Sequence, residues 1–432
     1  MKNKRMKWFF SGLLAVAIVN AVSTEVSAKD YVRGMNLTEL GVEQYDAALP
    51  GGAPTSAQLA VDQMRAIGIT HVILNPRAVM TDPRGNDLFP MTPTSQRSDE
   101  RARYLRLIQY IHSQKMTVGI RPIFFVTKPD GSFPYREVQP DGSIKTWWHG
   151  NIQPSDPNRW FGSFKNYLDI YLLIAKLMPV EEFTIGAELY SMTVGIEDQW
   201  KEYPYGFPGR WLELLRYTKS KLSASTRIMY DINFTDDVVK LGSISASGGE
   251  LERWRYRIVD LANPSTAAQQ IIWQDIVQFW LELDAIGIDI YRSLADRSEA
   301  IPTERARLVN FLRTRTDEFA SQLDNTAVSI EATVGKRQKF MFKEAGYRSI
   351  ERGFIDPFNY ETASGDYEPV HQAAAYEALF ESFWLPQFDW FFGGSFWDVS
   401  VDRNRNRGIG DTGFSPINKP ETVEVLKRIY NF

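Results

Sequence analysis

Short apolar runs and longer stretches with apolar residues every three or four positions take turns along this chain, and the alternation occurs eight times. The apolar runs predict strands at residues 31–37, 70–75, 117–126, 182–188, 227–233, 285–291, 339–344 and 389–397. The periodic stretches predict helices at 55–67, 98–114, 160–177, 208–222, 271–283, 303–323, 371–384 and 420–430. In 98–114, for instance, Tyr104, Leu107, Ile108 and Ile111 repeat as one face of a helix. Strand-then-helix units repeated eight times close as a (β/α)8 TIM barrel. Neither internal repeats nor low-complexity linkers interrupt the pattern, so one domain over 29–432 is expected. Helix five is reached only after about 37 residues, where a βα loop usually takes ~2–6. Residues 242–270 therefore read as an insertion on the rim that follows strand five.

The first 28 residues stand outside that pattern. Lys2, Lys4, Arg5 and Lys7 precede an apolar run from Trp8 to Val22, and Val26-Ser27-Ala28 has the small-residue form of a cleavage site. This is a secretory signal peptide, because the run falls short of the ~20 residues that a membrane-spanning helix needs. The mature protein is expected to carry no membrane anchor and to be exported, to a periplasm or to the medium. The chain has no cysteine, which rules out disulfides and a lipid-modified cysteine. With 49 Lys and Arg against 53 Asp and Glu and no like-charge block, it lacks the basic face of a nucleic-acid binder. A monomer is expected.

Chemistry enters with two glutamates. Phe183-Thr184-Ile185-Gly186-Ala187-Glu188-Leu189 and Phe340-Met341-Phe342-Lys343-Glu344 are both apolar runs that stop on an acid. Strand ends in such a barrel share one rim, so Glu188 and Glu344 can face each other across a cleft. A single strand-end Glu would more often pair with an arginine. Two of them, in a chain with 12 tryptophans and 13% aromatic residues, point to sugar chemistry, since flat rings stack on sugar C–H faces although many will be core. Retaining hydrolysis of a glycosidic bond needs one carboxyl to protonate the leaving oxygen and another, ~5–5.5 Å away, to attack the anomeric carbon. Tyr291 ends strand six on the same rim, where its hydroxyl can reach the attacking carboxyl or simply pack. Trp397 ends strand eight as a floor for the sugar, and Trp148 and His149 line the cleft after strand three. Asn233, ending strand five, and Arg121, within strand three, are weaker candidates of structural character.

Six strings in order resemble glycoside hydrolase family 113: Trp147-Trp148-His149-Gly150-Asn151-Ile152, Trp160-Phe161, Ile185-Gly186-Ala187-Glu188-Leu189, Ile286-Gly287-Ile288-Asp289-Ile290-Tyr291, Glu344-Ala345-Gly346-Tyr347-Arg348-Ser349 and Lys419-Pro420. The resemblance runs from about Gly34 to Tyr430. It implies a retaining (β/α)8 enzyme, characteristically a β-1,4-mannanase, that uses no metal. It also implies Glu188 as general acid/base and Glu344 as nucleophile. One departure is Ala187, where hydrolases of this clan commonly carry an Asn that binds the sugar 2-hydroxyl. A second is the 242–270 segment, in which Glu250, Glu252, Arg253, Arg255 and Arg257 surround Trp254 and Tyr256. As a rim insertion it is expected to reshape the cleft or act as a lid.

Other signals carry less. Asp402, Asn404, Asn406 and Asp411 resemble a calcium loop, but the glycine is misplaced at Gly408 and Arg403, Arg405 and Arg407 repel a cation. His71, His112, His149 and His371 lack metal-pair spacing, and no G-x-S-x-G elbow is present. The expectation is an exported retaining glycosidase without cofactor or metal, acting on a β-linked polysaccharide or oligosaccharide, with β-1,4-mannan foremost. An exopolysaccharide or cell-wall glycan, or a non-catalytic carbohydrate-binding role, are the alternatives.

Overall fold

The computed structural model describes residues 31–39, 44–358 and 365–430. The expected signal peptide, residues 1–28, lies outside them. Eight parallel strands close the barrel: β1 (Val32–Thr38), β2 (His71–Leu74), β3 (Thr117–Ile120), β4 (Glu182–Ala187), β5 (Arg227–Thr235), β6 (Ala285–Tyr291), β7 (Phe340–Ala345) and β8 (Phe391–Ser400). The ring runs β1-β8-β7-β6-β5-β4-β3-β2, each strand beside its neighbours in sequence. Eight helices follow them: α1 (Ser56–Ala66), α2 (Arg97–Ser113), α3 (Pro157–Leu177), α4 (Pro208–Lys221), α5 (Ala267–Glu282), α6 (Arg305–Val334), α7 (Pro369–Phe383) and α8 (Pro420–Tyr430). The predicted (β/α)8 fold is the observed one.

Helix starts follow local chemistry. Thr55 and Gln58 form a reciprocal capping box at α1, Asp156 caps α3 ahead of Pro157, and Thr266 caps α5. Helix α6 runs eleven residues past the predicted end at Leu323, to Gly335 at φ 77°, because Thr326, Ala327 and Ile330 continue the buried face that the polar residues between them obscure. The predicted third strand is two. Barrel strand β3 ends at Ile120, and Ile123–Val126 leaves to pair with Arg77–Met80 outside the ring. Arg121 and Pro122 sit at the break, where Pro122 has no N–H to donate.

Most tryptophans serve the core. Trp147, Trp160, Trp200, Trp211, Trp254, Trp280, Trp384 and Trp390 are buried, and among the described residues only Trp148, Trp273 and Trp397 reach the surface. Rings between barrel and helices pack face to edge: Trp211 against Tyr230 at 5.5 Å, Phe340 against Trp390 at 5.6 Å. The barrel interior is different. Met229, Ala285 and Met341 close its lower end, but above them the space holds ions: Glu182, Lys343, Asp231, Arg121 and Asp289, all buried. Gly287 leaves room for two of them, since a Cβ there would lie 2.0 Å from Asp231 Oδ1 and 2.3 Å from Lys343 Cγ.

The insertion, expected to reshape the cleft or act as a lid, packs much of its length into the fold. It forms a hairpin, Val238–Leu241 with Ile244–Ser247, then a helix, Glu250–Arg255, that continues as a π-helical turn, Tyr256–Asp260. Leu251, Trp254 and Ile258 are buried, and Trp254 meets Tyr230, Phe279 and Trp280 at 5.5–5.9 Å. Arg257 is buried too, donating to the carbonyls of Val194 at 2.8 Å and Pro204 at 2.7 Å. Glu250, Glu252, Arg253 and Arg257 are buried, and Arg255 pairs with Glu252 and Asp260.

Candidate active site

Both strands that lead to a candidate glutamate lose register just before it. Between β6 and β7, Ile288 pairs with Phe342 but Asp289 with Glu344, so β7 carries one extra residue. In a regular strand Lys343 and Glu344 would face opposite ways. The bulge turns both inward: Lys343 bonds Glu182 inside the barrel, Glu344 bonds Arg121 at the rim, and Phe342 faces the helices against Phe383 at 4.7 Å. The β4–β5 ladder shifts likewise, between the Thr184–Met229 and Ala187–Asp231 pairs.

Glu344 is gripped by two groups. The Arg121 Nη1 donates to its Oε1 and the Tyr291 hydroxyl to its Oε2 at 2.9 Å. Arg121 also donates through Nε to Asp231 and through Nη2 to Asp289, each at 2.6 Å, so one guanidinium faces three carboxyls. Burial disfavours the Arg121 cation, but Asp289, Glu344 and Asp231 outweigh it and hold the group protonated. Burial also pushes the carboxyls of Glu344 and Asp289 up, against the pull of Arg121; the charge of Glu188 adds to the rise of Glu344, and the charges of Glu344 and Glu188 add to that of Asp289. The carboxyl of Asp231 rises by burial against both Lys343 and Arg121. Arg121, with Lys343 already paired with Glu182, cannot balance three ionised carboxylates, and the buried Oδ1 atoms of Asp231 and Asp289 have no hydrogen-bond partner among the described residues. Glu344 has two donors and some access to water, its side chain being 15% exposed, so it is the member best placed to remain ionised. Deeper down, Glu182 meets Lys343, His71 and Arg227. Burial works against its charge, but Lys343, then His71 and Arg227, outweigh it and hold it low.

Glu188 has a lighter grip. It follows β4 at φ 56°, and its side chain, 16% exposed, meets one polar partner among the described residues, with Oε2 3.0 Å from His149 Nε2. His149 sits on the turn His149–Asn151 after the Tyr135–Val138 and Ile144–Trp147 hairpin. Gly150 lets that turn press onto the acid: a Cβ there would meet Glu188 O at 2.8 Å, Trp148 Cζ2 at 2.7 Å and Tyr190 Cε1 at 2.6 Å. Trp148 meets His149 edge to face, with ring centroids 4.7 Å apart. The charge of Glu188 reaches Glu344, whose ionisation it disfavours.

The structure thus places Glu188, His149 and Trp148 together on one side and Glu344 and Tyr291 together on the other. Trp397 lies beside the end of β7, its carbonyl 2.6 Å from where a Cβ on Gly346 would sit, and it is partly buried. It is not a strand end as predicted, because β8 continues to Ser400. Asn233 is buried, and its Oδ1 accepts the Glu250 N–H at 2.8 Å, which joins it to the insertion. Arg121, expected to be structural, is the direct partner of Glu344. Asp231, Asp289 and Lys343 went unnoticed in the sequence. Their signal was a charged residue at an alternate position of an otherwise apolar strand, as in Ile286-Gly287-Ile288-Asp289-Ile290-Tyr291.

Known proteins resemble this chain in fold and, over part of its length, in sequence. The model of Glycoside Hydrolase Family 113 matches residues 260–419, a span that holds Tyr291, Glu344, Trp397 and Lys419. The β-mannanase AaManA of that family, from Alicyclobacillus acidocaldarius, superposes over 93% of this chain and 97% of its own, with TM-score 0.60 and 17% identity. A second GH113 β-1,4-mannanase superposes over 93% and 99%, with TM-score 0.57 and 18% identity. A glycoside hydrolase family 5 mannosidase from Rhizomucor miehei does so over 94% of each chain, with TM-score 0.52 and 11% identity. No curated protein sequence matches. At these identities the superpositions establish the barrel, while the matched span carries the resemblance to family 113.

Proposed function

We propose, with that resemblance as premise, that the protein is a retaining glycoside hydrolase of a β-linked polysaccharide, β-1,4-mannan foremost, and that it works outside the cytoplasm. The observation that carries the reading is the unequal support of the two glutamates. Glu344, held by a guanidinium and a phenol, suits a nucleophile that must stay charged and aimed. Glu188, with a single imidazole partner and open to the cleft, suits a group that gives up a proton and takes one back. Burial, then the charge of Glu344, pushes the Tyr291 phenol up, so it remains a donor to the nucleophile. In the first step Glu344 attacks the anomeric carbon while Glu188 protonates the departing oxygen. In the second, water deprotonated by Glu188 releases the sugar from Glu344 with its configuration retained.

The test is a fluorosugar inactivator of matching configuration, with mass spectrometry of the labelled peptide and NMR of the first-formed anomer. Label on Glu344 and a β-anomer are expected; label elsewhere or an α-anomer defeats the assignment. Ala187 favours a second reading, a different glycan. It offers no polar group to a sugar 2-hydroxyl, and it is 6% exposed. Reducing-end release across mannans, glucans and bacterial exopolysaccharides separates the two.

A further inference from the structure

Glu188 occupies backbone that a side chain resists. Its φ of 56° is left-handed, a region that non-glycine residues keep only where their surroundings impose it. Two bonds do so. The Glu188 N–H donates to the Asp231 carbonyl at 2.8 Å, and the Leu189 N–H donates to the Tyr230 hydroxyl at 2.8 Å. Thr193 Oγ1 adds a third contact, donating to the Leu189 carbonyl at 3.1 Å. Asp231 is fixed by its strand, but the Tyr230 oxygen ends a side chain and must itself be oriented.

Glu250 does the orienting. The Tyr230 hydroxyl donates to Glu250 Oε1 at 3.0 Å, and the Trp254 indole N–H donates to the same oxygen at 3.0 Å. The Glu250 backbone N–H is held by Asn233 Oδ1 at 2.8 Å. Only Gly249, at φ 59°, passes this point, since a Cβ there would lie 2.4 Å from Asn233 Oδ1. Glu250 is 1% exposed and cannot touch a substrate. Burial pushes its carboxyl up to about 8, with a further rise from the charge of Glu188, so the two carboxyls sense each other although neither contacts the other.

We propose that Glu250 is a positioning residue for the acid/base: through the Tyr230 hydroxyl it holds the Leu189 peptide and so sets the left-handed turn from which Glu188 meets His149 and the cleft. The proposal rests on the reading of Glu188 as acid/base. It gives the insertion a role as the backing of the acid rather than as a lid.

Tyr230→Phe removes the hydroxyl alone, Glu250→Leu removes the carboxyl, and Glu250→Gln keeps an accepting oxygen. Assayed on aryl β-mannobiosides, Tyr230→Phe and Glu250→Leu are expected to lose at least about tenfold in kcat/KM with a 4-methoxyphenol leaving group and less than about threefold with 2,4-dinitrophenol, which needs no proton. Glu250→Gln should stay within about threefold on both, and the double variant should be no worse than the poorer single one, as for groups in one chain. Amide hydrogen exchange over residues 188–190 should quicken in Tyr230→Phe and Glu250→Leu only. Equal losses with both leaving groups, or unchanged exchange in Tyr230→Phe, overturns the proposal; if Glu250→Leu fails to fold, Tyr230→Phe decides. Should the wild type cleave none of these glycosides nor any polysaccharide, the glycosidase reading fails, while the exchange data still judge the positioning.

Discussion

The two ends of the cleft are built on opposite plans. Around Glu344 the barrel supplies charge: a guanidinium, a phenol and two further buried carboxyls converge on the end of one bulged strand. Around Glu188 the loops supply shape: a left-handed turn, a glycine that admits the His149–Asn151 turn, and one imidazole. Rigid electrostatics suits a group whose charge must not change, and a lighter polar setting suits one whose proton comes and goes. On the proposed mechanism, the barrel interior would govern one half of the chemistry and the rim the other.

The most damaging break should be on the charged side. Glu344→Ala is expected to lower turnover of polysaccharide by at least about 10⁴-fold, since the covalent step is lost outright, and azide should yield an inverted glycosyl azide from an activated substrate. Residual turnover within about tenfold of wild type would unseat Glu344. Arg121→Met strips three carboxyls of their shared cation. Removing one partner of a buried ion pair costs about 3–5 kcal/mol, so denaturant unfolding should show a loss of that order besides the loss of activity. A variant as stable as wild type would mean that the cluster is not held by its ions.

Breaks on the rim should be smaller and substrate-dependent. Glu188→Ala is expected to lose roughly 10²–10⁴-fold on natural glycan, to be nearly spared on dinitrophenyl glycosides, and to be rescued by azide with retention. His149→Ala removes a partner of the acid but no reacting atom, so about a tenfold fall in kcat/KM is expected; a deeper loss than that of Glu188→Ala would assign the proton to His149 instead. The last effect on this side is read in stability and not in rate. Burial, opposed by the bonds from Trp254 and Tyr230 and helped by the charge of Glu188, raises Glu250 from 4.5 to about 8. Between those values the unfolded chain has released this proton and the folded one keeps it, so Glu250 costs stability progressively as pH rises through the window and no more above it. Glu250→Gln should therefore flatten the decline of unfolding free energy between pH 4.5 and 8; parallel curves for both proteins would contradict the raised value.

Much of this molecule could be read without its coordinates. The eight strand-helix units, Glu188, Glu344 and the Tyr291 hydroxyl are set by local patterns, because an apolar run ended by an acid and a 3.6-residue periodicity are properties of neighbouring residues. Thr55, Asp156 and Thr266 cap their helices for the same reason. Tryptophan abundance could not by itself say which rings are core, since packing between barrel and helices uses the same residues as sugar stacking does.

Other features exist only once the ring closes. Arg121 reads as a charge interrupting an apolar run, yet its partners lie 110, 168 and 223 residues further along the chain. The bulge that turns Lys343 and Glu344 to the same side is a mismatch between two strands and leaves no trace in either alone. The 242–270 segment looks polar and exposed until Glu250 and Arg257 find their partners across the fold. Sequence by itself determined where the strands and their terminal acids lie, because hydrophobic burial acts through short-range periodicity. Tertiary structure alone decided which charges meet, because a buried ion is tolerable only beside a partner, and that partner comes from strands distant in sequence.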